Sequence, residues 1–139
     1  MEYPEVRGTD SWGSGHYGAS RGSRQHNGED FVCSKGEEIR AFSSGTVTKI
    51  GYAYSNDLSF RYIELDCGDW FCRYFYVIPT EAIEVGKVIH AYEVLGLSKD
   101  LTKRYPDITQ HYHFEVFKDH KDGKPRGYIH PRQYIEGLA

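Results

Sequence analysis

A chain of 139 residues has the length of a single domain, in which roughly two thirds of the unfolded chain's surface can be buried. The net charge of -3 excludes a general electrostatic attraction to nucleic acid or to an anionic membrane surface. No stretch approaches the roughly 18 apolar residues that a membrane-spanning helix needs. We therefore expect one domain over 1–139, without a nucleic-acid partner and without a membrane span.

The pattern along the chain predicts β structure. Residues 8–28 are rich in glycine and serine and have no strand or helix period, so we expect a loop that wraps the surface. From residue 30 onward, short apolar runs alternate with turn signals, which is typical of half-buried strands. These runs cover residues 31–33, 39–42, 45–51, 60–67, 70–77, 85–89, 94–96 and 111–117.

Two later segments favour other structures. Residues 99–105 fit a short helix or an irregular loop that ends before Pro106. The tail from 131 to 138 predicts one helical turn, because proline is tolerated at an early helical position. The predicted fold class is therefore all-β with a minor helix, built on a partly open antiparallel sheet.

The three cysteines are too few for a disulfide scaffold and are not spaced as a structural zinc site. Cys67 and Cys72 flank four residues between two predicted strands, where they could face each other across a hairpin. A disulfide between them and a pair of free buried thiols both remain open.

Two pairs of residues are candidates for metal chemistry. His111 and His113 stand at i and i+2 in a predicted strand, so their side chains project from the same face. His26 and Asp30 flank Gly28, a residue that permits a sharp bend, and zinc accepts such nitrogen and oxygen ligands. Each pair alone also fits a structural role. Together they supply two imidazoles and one carboxylate for zinc, and leave one histidine as acid or base.

The segments 21–30, 41–47, 85–96 and 111–116 resemble the motifs of the lysostaphin/LytM-type peptidoglycan endopeptidases. The resemblance covers residues 13–117 and leaves 1–12 and 118–139 as terminal extensions. It implies a lysostaphin-type fold whose long loops form the walls of a groove. It also implies that His26, Asp30 and His113 bind zinc, and that His111 handles a proton during hydrolysis of amide bonds in peptidoglycan peptides.

One position departs from that family. The family usually carries a further histidine in a Tyr-x-His-Leu segment, and the corresponding stretch here places Tyr76 at that position. A tyrosine hydroxyl can donate a hydrogen bond to an oxyanion, but it is not a base near neutral pH. The segments 21–30, 71–79 and 105–113 also resemble the leukocyte cell-derived chemotaxin branch. This resemblance implies the alternative of a catalytically silent zinc-stabilised binding or signalling module.

Three further residues are candidates near the metal. Arg21 and Arg24 are predicted to bind a substrate carboxylate, with pairing to local acids such as Glu29 as the alternative. Glu115 shares the strand face of His113 and is predicted either to orient it or to lie in solvent. The first residues do not resemble a signal peptide, so we expect the protein to reach the periplasm or cell wall through a lysis system, a phage particle, a secretion machine or a signal that has been removed.

Overall fold

The computed structural model describes residues 3–22, 24–118 and 126–138, so the predicted extension 118–139 lies partly outside it. Within these ranges it contains fourteen β-strands and one short helix. The strands are β1 (Thr9–Asp10), β2 (Gly13–Ser14), β3 (Ser20–Arg21), β4 (Arg24–Gln25), β5 (Glu29–Val32), β6 (Glu38–Arg40), β7 (Gly45–Tyr52), β8 (Arg61–Asp66), β9 (Phe71–Phe75), β10 (Val77–Pro79), β11 (Val88–Ile89), β12 (Val94–Ser98), β13 (His111–Lys118) and β14 (Gly127–Ile129). The helix is α1 (Pro131–Glu136).

The main sheet is antiparallel and has the order β11-β7-β8-β9-β13-β14 among the described strands. Strand β13 pairs with β9 along one side. Its other side is shared, because β5 pairs with the first half of β13 and β14 with the second half. A smaller sheet has the order β10-β12-β6. The predicted all-β class with a minor helix is confirmed.

Strand β13 separates the core from the functional face. Tyr112, Phe114 and Val116 are buried and belong to the hydrophobic core, where Phe114 stacks on Phe31. Side chains alternate between the two faces of a strand, so His111 and His113 lie on the opposite face. The period of two that fills the core therefore also fixes the position of both histidines.

The arm over residues 8–28 differs from the prediction of a loop without strand structure. It forms two ladders of two residues per strand, β1 with β2 and β3 with β4. Gly22 adopts a positive φ of 73° in the turn between β3 and β4, a conformation that glycine accepts without steric cost. Strands of two residues are too short to show a period in the sequence, which explains why the prediction missed them.

Both ends of the described chain pack against this core. Val6 forms a β-bridge with Phe31, and Ile135 of helix α1 is buried in the core cluster. His130 caps α1, because its Nδ1 accepts a hydrogen bond from the backbone amide of Arg132. Residues 131–136 are helical, within the turn predicted for the tail.

The other open alternatives are resolved by the structure. Residues 99–105 form turns rather than a helix, with the Tyr105 amide donating to the Leu101 carbonyl at 2.9 Å. Cys67 and Cys72 are free thiols, so the alternative without a disulfide is the one observed. Over the described residues, no helix has the length and apolar character required to cross a bilayer.

Candidate metal centre

All eight residues that the sequence predicted for the site line one groove of about 460 Å³ above the sheet. They are Arg21, Arg24, His26, Asp30, Tyr76, His111, His113 and Glu115. Asp30 lies on β5, both His111 and His113 lie on β13, and Tyr76 follows β9. These three strands meet because β5 and β9 flank β13 on either side. The register places His113 directly opposite Asp30 and Phe75.

Three potential ligand atoms converge at the floor of the groove. His26 Nε2 lies 3.0 Å from His113 Nδ1 and 3.2 Å from Asp30 Oδ1, and the last two atoms lie 3.0 Å apart. Tetrahedral zinc with bonds of about 2.0–2.1 Å requires its ligand atoms to lie roughly 3.3 Å apart. Among the described residues, this is the group of histidine and carboxylate side chains with the geometry of a metal site.

Hydrogen bonds on the far sides of the two imidazoles orient them toward this point. His26 Nδ1 lies 3.0 Å from the His16 carbonyl, and His113 Nε2 lies 2.9 Å from Glu115 Oε1. Neither acceptor can donate a proton, so each of these ring nitrogens is the N–H donor. In the neutral tautomers, the opposite nitrogens therefore direct lone pairs at Asp30 Oδ1. His26 Nε2, His113 Nδ1 and Asp30 Oδ1 then each present a lone pair to the same point with no hydrogen between them, which is the arrangement that a bound cation requires.

The titration behaviour of the site also fits a cation. Burial alone raises the pKa of Asp30, but hydrogen bonds from His113 and His26 outweigh it and hold that pKa well below its usual range. Burial alone lowers the pKa of His113, but hydrogen bonds to Asp30 and Glu115 outweigh it and raise the pKa to about 9. In the metal-free protein, a proton on His113 thus supplies the positive charge that the ligand set needs.

This gives a prediction about protons. Below pH 9 the metal-free protein holds a proton on His113, and zinc requires the lone pair of Nδ1, so binding must displace that proton. We expect release of about one proton per zinc at pH 7.5. Calorimetry in buffers of different ionisation enthalpy measures this number. Glu115→Gln removes one cause of the raised pKa and reduces the release; zinc binding without release by the unaltered protein would contradict the account.

A buried arginine that the sequence analysis did not identify contacts the same carboxylate. Arg7 is 3% exposed, and its Nη1 donates to Asp30 Oδ2 at 2.8 Å. Its Nε and Nη2 donate to Asp10, which in turn accepts from the Thr109 amide. Arg7 leaves Asp30 Oδ1 facing the two imidazoles and fixes the orientation of the carboxylate. Its partner is 23 residues away, so no local pattern indicated it.

His111 lies beside the three ligands with a defined tautomer. Its Nδ1 donates to the Thr109 carbonyl at 2.7 Å, so Nε2 carries the lone pair and lies 3.4 Å from Asp30 Oδ2. Burial lowers the pKa of His111, and the opposing charge of Asp30 does not restore it. His111 is thus neutral at pH 7, as a general base must be.

Tyr76 reaches the groove through an unusual backbone conformation. It lies between β9 and β10 with a φ of 68°, the left-handed region that bulky residues rarely adopt. Its ring packs edge-on against the imidazole of His111, with the ring centroids 5.8 Å apart. Burial raises the pKa of Tyr76 well above its usual value, so the hydroxyl stays protonated and can donate a hydrogen bond.

The remaining predictions have mixed outcomes. Glu115 is 5% exposed and holds His113, so it orients that imidazole rather than lying in solvent. Arg21 donates to the backbone carbonyls of Ser14 and Ser20 and does not pair with Glu29. Arg24 is exposed at the rim of the groove. Both arginines are therefore available at the groove, and their role in binding a carboxylate stays a prediction.

Gly28 is required for a reason other than the predicted bend. Its φ is negative, but a Cβ on Gly28 would lie 2.2 Å from the Phe114 carbonyl oxygen. We expect Gly28→Ala to force the segment carrying His26 away from β13, with a loss of about 1–3 kcal/mol in unfolding free energy and weaker zinc binding. Urea unfolding and zinc titration measure both. Gly8→Ala is the matched control, since nothing lies within 4 Å of its Cβ; equal effects of the two variants would refute the packing argument.

A comparison with family models matches residues 24–125 to peptidase family M23. The chain belongs to peptidase family M23. The curated relatives belong to the chemotaxin branch that the sequence also resembled. Leukocyte cell-derived chemotaxin-2 of Mus musculus is 35% identical over 112 residues, which are 80% of this chain and 72% of the relative. The Bos taurus protein of the same name is 33% identical over the same shares. The resemblance inferred from the sequence is confirmed.

Solved M23 structures share the fold. The antimicrobial peptidase lysostaphin from Staphylococcus simulans superposes with a TM-score of 0.69 at 19% identity, over 98% of this chain and 55% of that chain. A mutant catalytic domain of a prophage-encoded M23 protein from Enterococcus faecalis has a TM-score of 0.64 at 20% identity, over 96% and 94% of the two chains. The predicted lysostaphin-type fold is thereby confirmed.

Proposed function

We propose that this M23 family member is a zinc-dependent endopeptidase that hydrolyses peptide bonds in bacterial peptidoglycan. The observation that carries the proposal is the convergence of His26, Asp30 and His113 next to a neutral, oriented His111. Family membership supports a peptidase, and the open groove suits an extended peptide better than a closed pocket would.

The residues of the site divide the chemistry between them. His26, Asp30 and His113 would hold zinc, which when bound polarises the scissile carbonyl and makes water more acidic. His111 accepts the proton of the attacking water on Nε2, because its Nδ1 is committed to Thr109. It then returns that proton to the leaving amine. Arg7 keeps the Asp30 carboxylate in place throughout.

Tyr76 and the two arginines that line the groove act on the substrate. The protonated hydroxyl of Tyr76 donates to the oxygen that gains negative charge in the transition state, in place of the histidine of related enzymes. Arg21 and Arg24 line the same groove and bind a carboxylate of the wall peptide. Tyr76 supplies stabilisation only, so His111 carries the whole acid–base role.

The test is digestion of purified peptidoglycan from several bacteria by the zinc-loaded protein, with a chelator-treated sample as control. Mass spectrometry of the fragments identifies new amino groups and the bond that produced them. Chelator-sensitive cleavage of one defined peptide bond supports the proposal. Intact walls from every species, at one zinc per chain, would refute it.

A second function is favoured by two observations. The chain carries Tyr76 where the family motif has a histidine, and relatives at 33–35% identity are named as chemotaxins rather than peptidases. A catalytically silent zinc-stabilised binding or signalling module is therefore the alternative. Binding of intact wall peptides without cleavage, unchanged in His111→Ala, would favour this module. Loss of cleavage in His111→Ala with zinc retained would favour the enzyme.

Two wider proposals accompany the function. Residues 1–139 form a single domain, which is supported by the packing of Val6 and Ile135 against the common core. Delivery to the wall by a phage particle or a secretion machine stays a prediction. Localisation of the tagged chain in its native host tests it, and a chain retained in the cytoplasm under all growth conditions would contradict it.

A further inference from the structure

Three tyrosine hydroxyls form a chain along the wall of the groove. Tyr105 Oη lies 2.5 Å from Tyr54 Oη, which in turn lies 3.3 Å from Tyr76 Oη. All three rings line the groove that holds the candidate ligands. Tyr54 follows β7 and Tyr105 lies in the loop before β13, so distant parts of the chain contribute them. The roles assigned above use only Tyr76.

Arg104 stands at the outer end of this chain and gives it a direction. Its Nε donates to Tyr105 Oη at 3.1 Å, and its guanidinium lies over the Tyr54 ring at 3.8 Å from the centroid. An arginine can only donate, so the Tyr105 oxygen is an acceptor at that bond. Hydrogen bonds in a chain polarise one another, which favours Tyr105 donating to Tyr54 and Tyr54 donating to Tyr76.

The direction of the chain determines where the last hydrogen points. With Tyr54 as the donor in this contact, the Tyr76 oxygen is the acceptor and its own hydrogen is free for a ligand in the groove. With the opposite direction, Tyr76 would donate to Tyr54 and present only lone pairs to the groove. We propose that Arg104, Tyr105 and Tyr54 are positioning residues that hold the Tyr76 hydroxyl as a donor to an anionic oxygen at the metal centre. This inference rests on the proposed function.

The outer end of the chain is itself fixed. Trp12 Nε1 donates to the Pro106 carbonyl at 2.8 Å, and the Trp12 ring packs edge-on against Tyr105 at 5.0 Å. The Leu101 carbonyl accepts from the Tyr105 amide within the same loop. The Tyr105 hydroxyl is therefore held in place by its loop and does not depend on Tyr54 for its position.

The test uses inorganic phosphate as a tetrahedral anion and the full zinc-loaded chain at pH 7, with binding measured by calorimetry. We expect Tyr76→Phe to weaken phosphate binding by about tenfold, the value of a hydrogen bond to a charged group. Tyr105→Phe removes the donor to Tyr54 and keeps the Tyr76 hydroxyl, and it is expected to weaken phosphate binding at least about threefold. In the Tyr76→Phe background, Tyr105→Phe is expected to have no further effect.

This coupling separates positioning from a merely structural role, since structural damage would weaken binding in both backgrounds. Tyr52→Phe is the matched control, because Tyr52 also lies under an arginine, Arg61 at 4.2 Å, but is exposed away from the groove. If Tyr105→Phe fails to fold or to hold zinc, Arg104→Met removes the outer donor, because methionine has no N–H group, and leaves all three tyrosines in place. It is expected to reproduce the same coupled loss.

Three results would overturn the inference. They are unchanged phosphate affinity in Tyr105→Phe or Arg104→Met, an equal loss in the presence and absence of the Tyr76 hydroxyl, and failure of the unaltered zinc-loaded protein to bind phosphate. None of these measurements requires cleavage. A coupled loss of phosphate affinity in a protein that cleaves no wall would refute the peptidase and leave the positioning chain standing.

Discussion

Asp30→Ala is expected to abolish zinc binding and to destabilise the metal-free protein by about 3 kcal/mol. Asp30 supplies the carboxylate of the candidate site, and its other oxygen pairs with the buried Arg7. Removing one partner of a buried ion pair leaves an uncompensated charge, which typically costs about 3–5 kcal/mol. We expect the lower end of that range because Asp10 still accepts two hydrogen bonds from Arg7.

Metal analysis of the purified variant and urea unfolding in the presence of a chelator measure the two effects separately. Glu38→Ala is the control, because Glu38 pairs with Arg40 on the surface and its loss should change the unfolding free energy by less than about 0.5 kcal/mol. An Asp30→Ala protein that retains one zinc per chain would show that the metal lies elsewhere.

His111→Ala is expected to lower the rate of peptide cleavage by about 10²–10⁴-fold while zinc content and affinity stay unchanged. The imidazole contributes no atom to the converging ligand set, but it is the neutral base next to it. Initial rates of fragment release, normalised to zinc content, measure the loss. His90→Ala is the control, since His90 is exposed outside the groove. Undiminished cleavage by His111→Ala would remove His111 from the mechanism.

The lowered pKa of His111 also predicts how peptidase activity depends on pH on the acid side. Burial lowers the pKa of His111 below the usual value of about 6.5, and catalysis needs the neutral form, so activity persists to pH values at which an ordinary histidine is protonated. We expect kcat/KM to fall only below about pH 6.5. A decline that begins above pH 7 would contradict a neutral His111 acting as the base.

Local periodicity was sufficient to predict much of the fold and one half of the site. The alternation along β13 predicted that His111 and His113 share one face, because a strand has a fixed period of two. The pairing of His26 with Asp30 across Gly28 also follows from residues close in sequence. Convergence of the two pairs required the family resemblance, since it depends on β5 pairing with β13 across 83 residues.

The contacts that the sequence did not indicate are those made across long separations by residues of ordinary type. Arg7 lies in a segment without a strand period, and nothing near it predicts burial against Asp30. Tyr54 and Tyr105 are two of twelve tyrosines, and only the folded chain shows that their hydroxyls meet Tyr76. The positive φ of Tyr76 was equally hidden, because tyrosine is not a residue that signals such a conformation.

The most direct test of the central claim is the rate of peptidoglycan cleavage as zinc is restored to the metal-free chain. We predict no cleavage without metal, a cleavage rate that rises linearly with zinc occupancy, and a plateau at one zinc per chain. The same type of peptide bond should be cut at every occupancy. Cleavage by the metal-free protein, or none at full occupancy, would contradict the assignment of the centre at His26, Asp30 and His113 as a peptidase site.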